Sequence, residues 1–107
     1  MPKTFVIYLE EEDKDSCDPN YELRIPDSAV RCLCDLDELV VYSGPQKKKF
    51  IVQLERRQEG TFMVKSGWHE VVDFYQLLPE LILHFKYYWE NVFFLTAYWD
   101  GVECFGL

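Results

Sequence analysis

The sequence is poor in the residues that run chemistry. It holds only two histidines, His69 and His84, and neither belongs to a Ser/His/Asp or Cys/His pattern of recognised form. Both read as surface or boundary residues. The five glycines, at 44, 60, 67, 101 and 106, are scattered at turns and form neither a phosphate loop nor a dinucleotide fingerprint. Four cysteines (Cys17, Cys32, Cys34 and Cys104) contain no C-x-x-C pair, and Cys32-x-Cys34 has no second ligand pair near it. No apolar run reaches the roughly 18 residues that a membrane helix needs. The apolar core of MPKTFVIYLEEED is too short for a signal peptide, and acids follow it. These absences speak against an enzyme with catalytic residues, a metal site, a cofactor, a small-molecule substrate and a membrane span. They point to an intracellular chain whose thiols stay reduced.

Positive charge is scarce as well. Eleven Lys and Arg stand against 19 Asp and Glu, a net charge of −8. A nucleic-acid binder needs a basic face, because phosphate neutralisation supplies most of the affinity. The distribution is lopsided, however. Residues 10–18 carry six acids (Glu10, Glu11, Glu12, Asp13, Asp15, Asp18) against Lys14, a local −5. Residues 47–57 carry Lys47, Lys48, Lys49, Arg56 and Arg57 against Glu55, a local +4.

What the chain has in quantity is apolar and aromatic. At 49% hydrophobic and 17% aromatic over 107 residues, it is one packed domain rather than a disordered chain. The domain spans 1–107, with its core at about 4–99 and a short C-terminal tail after it. No internal repeat, low-complexity segment or linker interrupts it.

Short β-rich runs separated by polar turns dominate. Thr4 to Leu9 reads as a first strand and Tyr21 to Ile25 as a second, ended by Pro26. Asp27 to Leu33 suits one or two helical turns capped by Asp27 or Ser28. Leu39 to Ser43, Lys49 to Leu54 and Thr61 to Lys65 are three more strands. Glu55 to Gly60 is a polar loop between the last two. A helix follows from Ser66, with Val71, Phe74, Tyr75 and Leu78 as its core-facing stripe and Pro79 as its stop. Leu81, Leu83 and Phe85 then alternate with Ile82, His84 and Lys86. After a turn at Trp89-Glu90-Asn91, Phe93, Leu95 and Ala97 resume the alternation. About seven strands and two short helices predict a mostly β, small barrel or sandwich.

The ordered set Gly67-Trp68, an apolar helix, Leu77, Leu83-x-Phe85-x-Tyr87 and Phe93-x-Leu95 resembles the C-terminal half of the plant B3 DNA-binding domain. Upstream, Leu23-Arg24-Ile25-Pro26-Asp27-Ser28-Ala29-Val30 is similar to that family's L-x-I-P-x-x-F-A segment. The resemblance covers roughly Phe5 to Trp99. Glu80-Leu81 stands where the family has Gly-Asp. The resemblance implies a seven-stranded open pseudobarrel with two short helices, in a nuclear, plant-type transcription regulator that grips duplex DNA with two arms. One arm is the loop between the fourth and fifth strands, here Glu55 to Gly60. The other lies between the first and second strands, here the acidic Leu9 to Asn20.

The candidate DNA-binding residues are therefore Arg56, Arg57 and Gln58, with Lys47, Lys48 and Lys49 on the preceding hairpin tip. Arginine can read guanine bidentately and glutamine can read adenine. The acidic arm opposes such contact, since each carboxylate repels phosphate. The alternative is a B3-like protein-interaction domain that has lost DNA binding. Protein partners would then engage the aromatic hairpin Tyr87-Tyr88-Trp89, with Tyr98 and Trp99 nearby. Of these, Tyr87 and Trp99 are expected as core filling or edge cover, and Trp89 as the exposed one.

Overall fold

The computed structural model describes residues 2–9, 23–33, 35–43, 48–63 and 65–105. The acidic run 10–20, the turn at Gly44-Pro45-Gln46, Lys47, Cys17 and Cys34 lie outside the described residues, as do the side chains of Ser66 and Cys104.

The chain forms β1 (Phe5–Tyr8), β2 (Leu23–Ile25), α1 (Asp27–Val30) running into a 3-10 turn (Arg31–Leu33), β3 (Glu38–Ser43), β4 (Lys48–Arg57), β5 (Gly60–Met63), α2 (Lys65–Tyr75), β6 (Ile82–Trp89), β7 (Val92–Trp99) and β8 (Val102–Phe105). The strands build one nearly closed sheet in the order β1-β6-β7-β3-β4-β5-β2, and β8 pairs with β7. All pairings are antiparallel except β3 with β7. The architecture is a mostly β pseudobarrel with two short helices: the element spacing predicts a small barrel or sandwich, and the pseudobarrel is the form that the resemblance implies.

Period-2 alternation fills the barrel. Phe50, Val52 and Leu54 of β4 point inward, as do Leu83 and Phe85 of β6 and Phe93, Leu95 and Ala97 of β7. Phe5 stacks on Phe85 with ring centroids 4.8 Å apart, and meets Phe93 edge-on at 5.4 Å. Aromatic pairs of this geometry add about 0.5–1.5 kcal/mol beyond the apolar area they bury.

The second helix is seated through its Gly-Trp pair. Trp68 is fully buried, with Val71 and Val72 beside it. The buried stripe is thus Trp68, Val71, Val72 and the half-buried Tyr75, not the expected Val71, Phe74, Tyr75 and Leu78. Phe74 and Leu78 are exposed. Leu78 lies beyond the end of α2, where Gln76 turns to φ +55° and its side chain donates to the Asp73 carbonyl at 2.8 Å. Gly67 has φ +93°, and a Cβ there would lie 3.0 Å from the Val52 Cα and closer still to the Ile51 carbonyl oxygen. Glycine therefore lets the first turn of α2 rest directly on the backbone of β4.

Other boundaries differ from the sequence reading as well: the fifth strand, expected over Thr61 to Lys65, is Gly60–Met63, and α2 already begins at Lys65. β4 runs to Arg57, so the polar loop shrinks to the two-residue turn Gln58-Glu59. The expected tail forms β8, joined to β7 by Asp100-Gly101, both at positive φ. Pro26 rather than Asp27 or Ser28 precedes α1, with no side-chain cap bond. No helix among the described residues is long and apolar enough to cross a membrane.

Candidate nucleic-acid interface

The β2–β5–β4 part of the sheet places an arginine on each of the two strands that flank Phe62. Phe62 of β5 pairs with Arg24 of β2 on one side and with Glu55 of β4 on the other. Arg57 lies two residues along from Glu55, on the same outer face. Its guanidinium sits 4.7 Å from the centroid of the Phe62 ring, and its Nε donates to Glu55 Oε1 at 2.6 Å. Arg24 crosses β5 toward the turn, where its Nε donates to the Glu59 carbonyl at 3.2 Å and its Nη2 to Asp27 Oδ1 at 3.3 Å. Gly60 makes room for that crossing. A Cβ on Gly60 would stand 2.8 Å from the Arg24 Nε. Gln58 and Glu59 project from the end as an exposed two-residue turn.

Arg56 goes elsewhere. It has the inward parity of Phe50, Val52 and Leu54, but the barrel ends there. Its Nη1 donates to Asp37 Oδ1 at 3.2 Å and its Nη2 to the Leu36 carbonyl at 2.7 Å. It thereby staples the end of β4 to the segment that enters β3. Together with the backbone bond from the Leu54 N–H to the Asp37 carbonyl, this fixes the base of the hairpin.

The structure does not bring the two basic groups together. Lys48 and Arg57 are the first and last residues of β4. Nine strand steps at ~3.3 Å put them about 30 Å apart, essentially the full 32 Å length of the molecule. Lys48 Nζ lies 5.7 Å from the Phe50 ring and 5.9 Å from that of Phe74, and Lys49 Nζ lies 5.8 Å from that of Tyr42. Lys47 is outside the described residues.

Sequence reasoning missed Arg24. It sits in a three-residue strand, and only the register reveals that its neighbour is Phe62. The electrostatics of the cluster are balanced rather than basic. Arg24 faces Asp27, Arg56 faces Asp37 and Arg57 faces Glu55. With Glu59 at the tip, three cations meet four carboxylates. These exposed pairs contribute only about 0–1 kcal/mol each, so a phosphate or base edge can replace a carboxylate at small cost. The pairs hold the guanidinium planes in place before a ligand arrives.

Of the aromatic candidates, Tyr87 is half-buried against Phe93, at 5.4 Å between ring centroids. Tyr88 and Trp89 are exposed. Trp99 is exposed too, contrary to its expected role as core or edge cover. Its parity is inward, but it lies past the end of the barrel beside Leu78 and Pro79. His84 is half-buried on the outer face, 4.6 Å from the ring of Tyr98. Among the described residues no three metal-ligating side chains come together.

A nearly closed small pseudobarrel with an arginine-flanked hairpin at one end is the class that these features define. Among solved structures, the chain is similar to that of a hypothetical Arabidopsis thaliana protein, at 20% identity over 92% of each chain and a TM-score of 0.68. That likeness shows a shared fold. No family model matches the chain, and no curated protein matches it.

Proposed function

We propose that this domain is a divergent B3-like module of a nuclear, plant-type transcription regulator, and that it binds duplex DNA through the β4–β5 hairpin. The observation that carries the reading is the placement of Arg24 and Arg57 on either side of Phe62, next to the projecting turn Gln58-Glu59. A two-stranded ribbon fits the major groove. At its tip stand a side chain suited to adenine (Gln58), one suited to the cytosine amino group (Glu59) and one suited to guanine (Arg57). Arg24 supplies a cation to the adjacent phosphates. Arg56 keeps the ribbon at its angle to the barrel through Leu36 and Asp37, and offers further charge.

Lys48 and Lys49, at the far end of β4, stay off this surface, so the contact is small. With three arginines engaged, affinity should fall with salt at a log–log slope no steeper than about −3, at roughly −0.9 per phosphate neutralised. The test is fluorescence anisotropy of a random duplex pool at low salt, with the native chain and an Arg24→Ala/Arg57→Ala variant. Binding tighter than about 100 μM, near the weak end of ordinary non-specific affinity, and lost in the variant, is the expected result. Absence of native binding in that range removes the DNA reading and leaves the fold as a protein-interaction domain.

A further inference from the structure

The outer face of the opposite half of the sheet carries a second organised surface. Four strands contribute one level of it. Lys86 of β6 pairs with Phe94 of β7, Phe94 with Tyr42 of β3, and Tyr42 with Lys49 of β4. All four side chains have outward parity, giving a transverse row of cation, two aromatics and cation. Three strand spacings of ~4.8 Å separate its ends by about 14 Å. The neighbouring level is aliphatic, with Val92 beside Val40 and Val40 beside Ile51. The bulge between Tyr87 and Trp89 turns Tyr88 and Trp89 up along one side. The result is a groove of about 550 Å3 on what should be the wet face of the sheet. Ile51 is 57%, Tyr88 62% and Trp89 54% exposed.

Its charge is polarised. Lys49 and Lys86 stand at one rim, and neither forms an ion pair with a carboxylate among the described residues. Glu38 and Glu90 stand toward the other, with Glu38 accepting from Gln53 Nε2 at 2.8 Å. In a chain of net charge −8, two cations beside an exposed apolar groove are a local exception. They complement an anionic ligand on one side only.

We propose that this groove docks an extended, acidic segment of a partner protein. One aromatic or branched aliphatic side chain of the segment fills the space over Val40, Ile51 and Val92, and its carboxylates reach Lys49 and Lys86. A single-stranded nucleic acid would present the same negative charge, but the groove suits it poorly. Tyr42 and Tyr88 meet Phe94 edge-on, at 62° in both cases, so the aromatic cluster is packed on itself rather than laid open as parallel platforms for bases. Branched aliphatic side chains form the floor, which is the chemistry of a side-chain pocket. Glu38 and Glu90 would also repel phosphates running on past the lysines. The surface lies at the other end of β4 from Arg57, so it is independent of the DNA reading.

The experiment titrates the full chain with a labelled peptide about eight residues long, which spans the face when extended at ~3.3 Å per residue. The peptide alternates Asp or Glu with Phe and Leu. The comparison probes are its Asn/Gln-neutralised counterpart and an oligothymidylate of similar length. Amide and aromatic NMR shifts report which surface is used. The expected result is saturable binding of the acidic peptide, with shifts at Tyr42, Phe94, Tyr88 and Trp89. Lys49→Glu/Lys86→Glu should weaken it at least tenfold, and Trp89→Ala by about thirtyfold, the factor that marks a hot-spot aromatic. All these positions are exposed or half-buried, and a native-like unfolding curve confirms that each variant folds. Equal binding of the acidic and neutralised peptides, preference for the oligothymidylate, shifts at Arg24, Phe62 and Arg57 instead, or no binding at about 1 mM would each overturn the proposal.

Discussion

Replacing Gly67 by alanine tests how the second helix is mounted. The residue has φ +93°, where an L side chain costs roughly 1–2 kcal/mol. The added methyl also runs into the Ile51 carbonyl and the Val52 Cα, which are backbone atoms of a central strand and cannot swing aside. Such overpacking costs about 1–3 kcal/mol. Together the loss should be about 2–5 kcal/mol, a large share of the 5–15 kcal/mol that holds an ordinary domain. Gly101→Ala separates the two contributions. Gly101 has φ +80°, but a Cβ there meets nothing within 4 Å. That variant should lose only the backbone cost, about 1–2 kcal/mol. The assay is urea unfolding of native, Gly67→Ala and Gly101→Ala chains followed by tryptophan fluorescence, with the slopes checked for equality. If the two variants agree within about 0.5 kcal/mol, the ordinary scatter of such effects, the close seating of α2 on β4 is wrong.

Trp68→Ala, which empties a fully buried site, should cost roughly 3–5 kcal/mol in the same assay; a loss under about 1 kcal/mol would show an exposed indole. Glu55→Gln removes the carboxylate that holds Arg57 at 2.6 Å and should weaken binding to the duplex pool, whereas tightening would show that the carboxylate only competes with phosphate for the guanidinium. Neutralising Glu10, Glu11, Glu12 and Asp13 to Gln or Asn should raise DNA affinity by removing repulsion, and an unchanged constant at low salt would mean that these residues stay clear of the duplex. All four cysteines should titrate as free thiols in denaturant without reductant, as Cys32 is in the folded chain; a stoichiometric disulfide refutes this.

The barrel itself was legible because its strands alternate. Leu83 and Phe85, then Phe93, Leu95 and Ala97, announce an inner face, and the structure buries all five. The ends of elements were harder to read. Glu-Arg-Arg looks like loop, yet β4 continues through it because β5 supplies hydrogen-bonding partners as far as Arg57. Polar residues suit a strand whose outer face is wet. In α2 two apolar stripes overlapped in the sequence. Leu78 favoured one of them, but it lies after the left-handed Gln76 and outside the helix. Trp68 selects the other by being the largest apolar group available to bury. β8 did carry a signal, the Asp-Gly pair after Trp99, which fits a two-residue hairpin turn with both residues at positive φ. Arg24 carried none. Its role comes from register across three strands, and period within a single strand does not encode that.

A net charge of −8 argues against any anionic ligand, but pairing changes that argument. On the hairpin, carboxylates one side chain away hold all three arginines, so the surface is neutral on average and ordered in detail. Such a site recognises by geometry, because long-range attraction from it is weak and the orientation of each guanidinium is set in advance. The lysines at the other end of β4 follow the opposite logic. Lys48 and Lys49 lie over aromatic rings, and neither is paired with a carboxylate among the described residues. One ten-residue strand therefore carries two kinds of positive charge. Its alternation directs Lys49 and Ile51 into the apolar groove and Glu55 and Arg57 to the hairpin, all on the outer face, while Phe50, Val52 and Leu54 hold the strand in the core. A ligand drawn by charge alone would prefer the lysine end, and a ligand matched to fixed donors would prefer the arginine end.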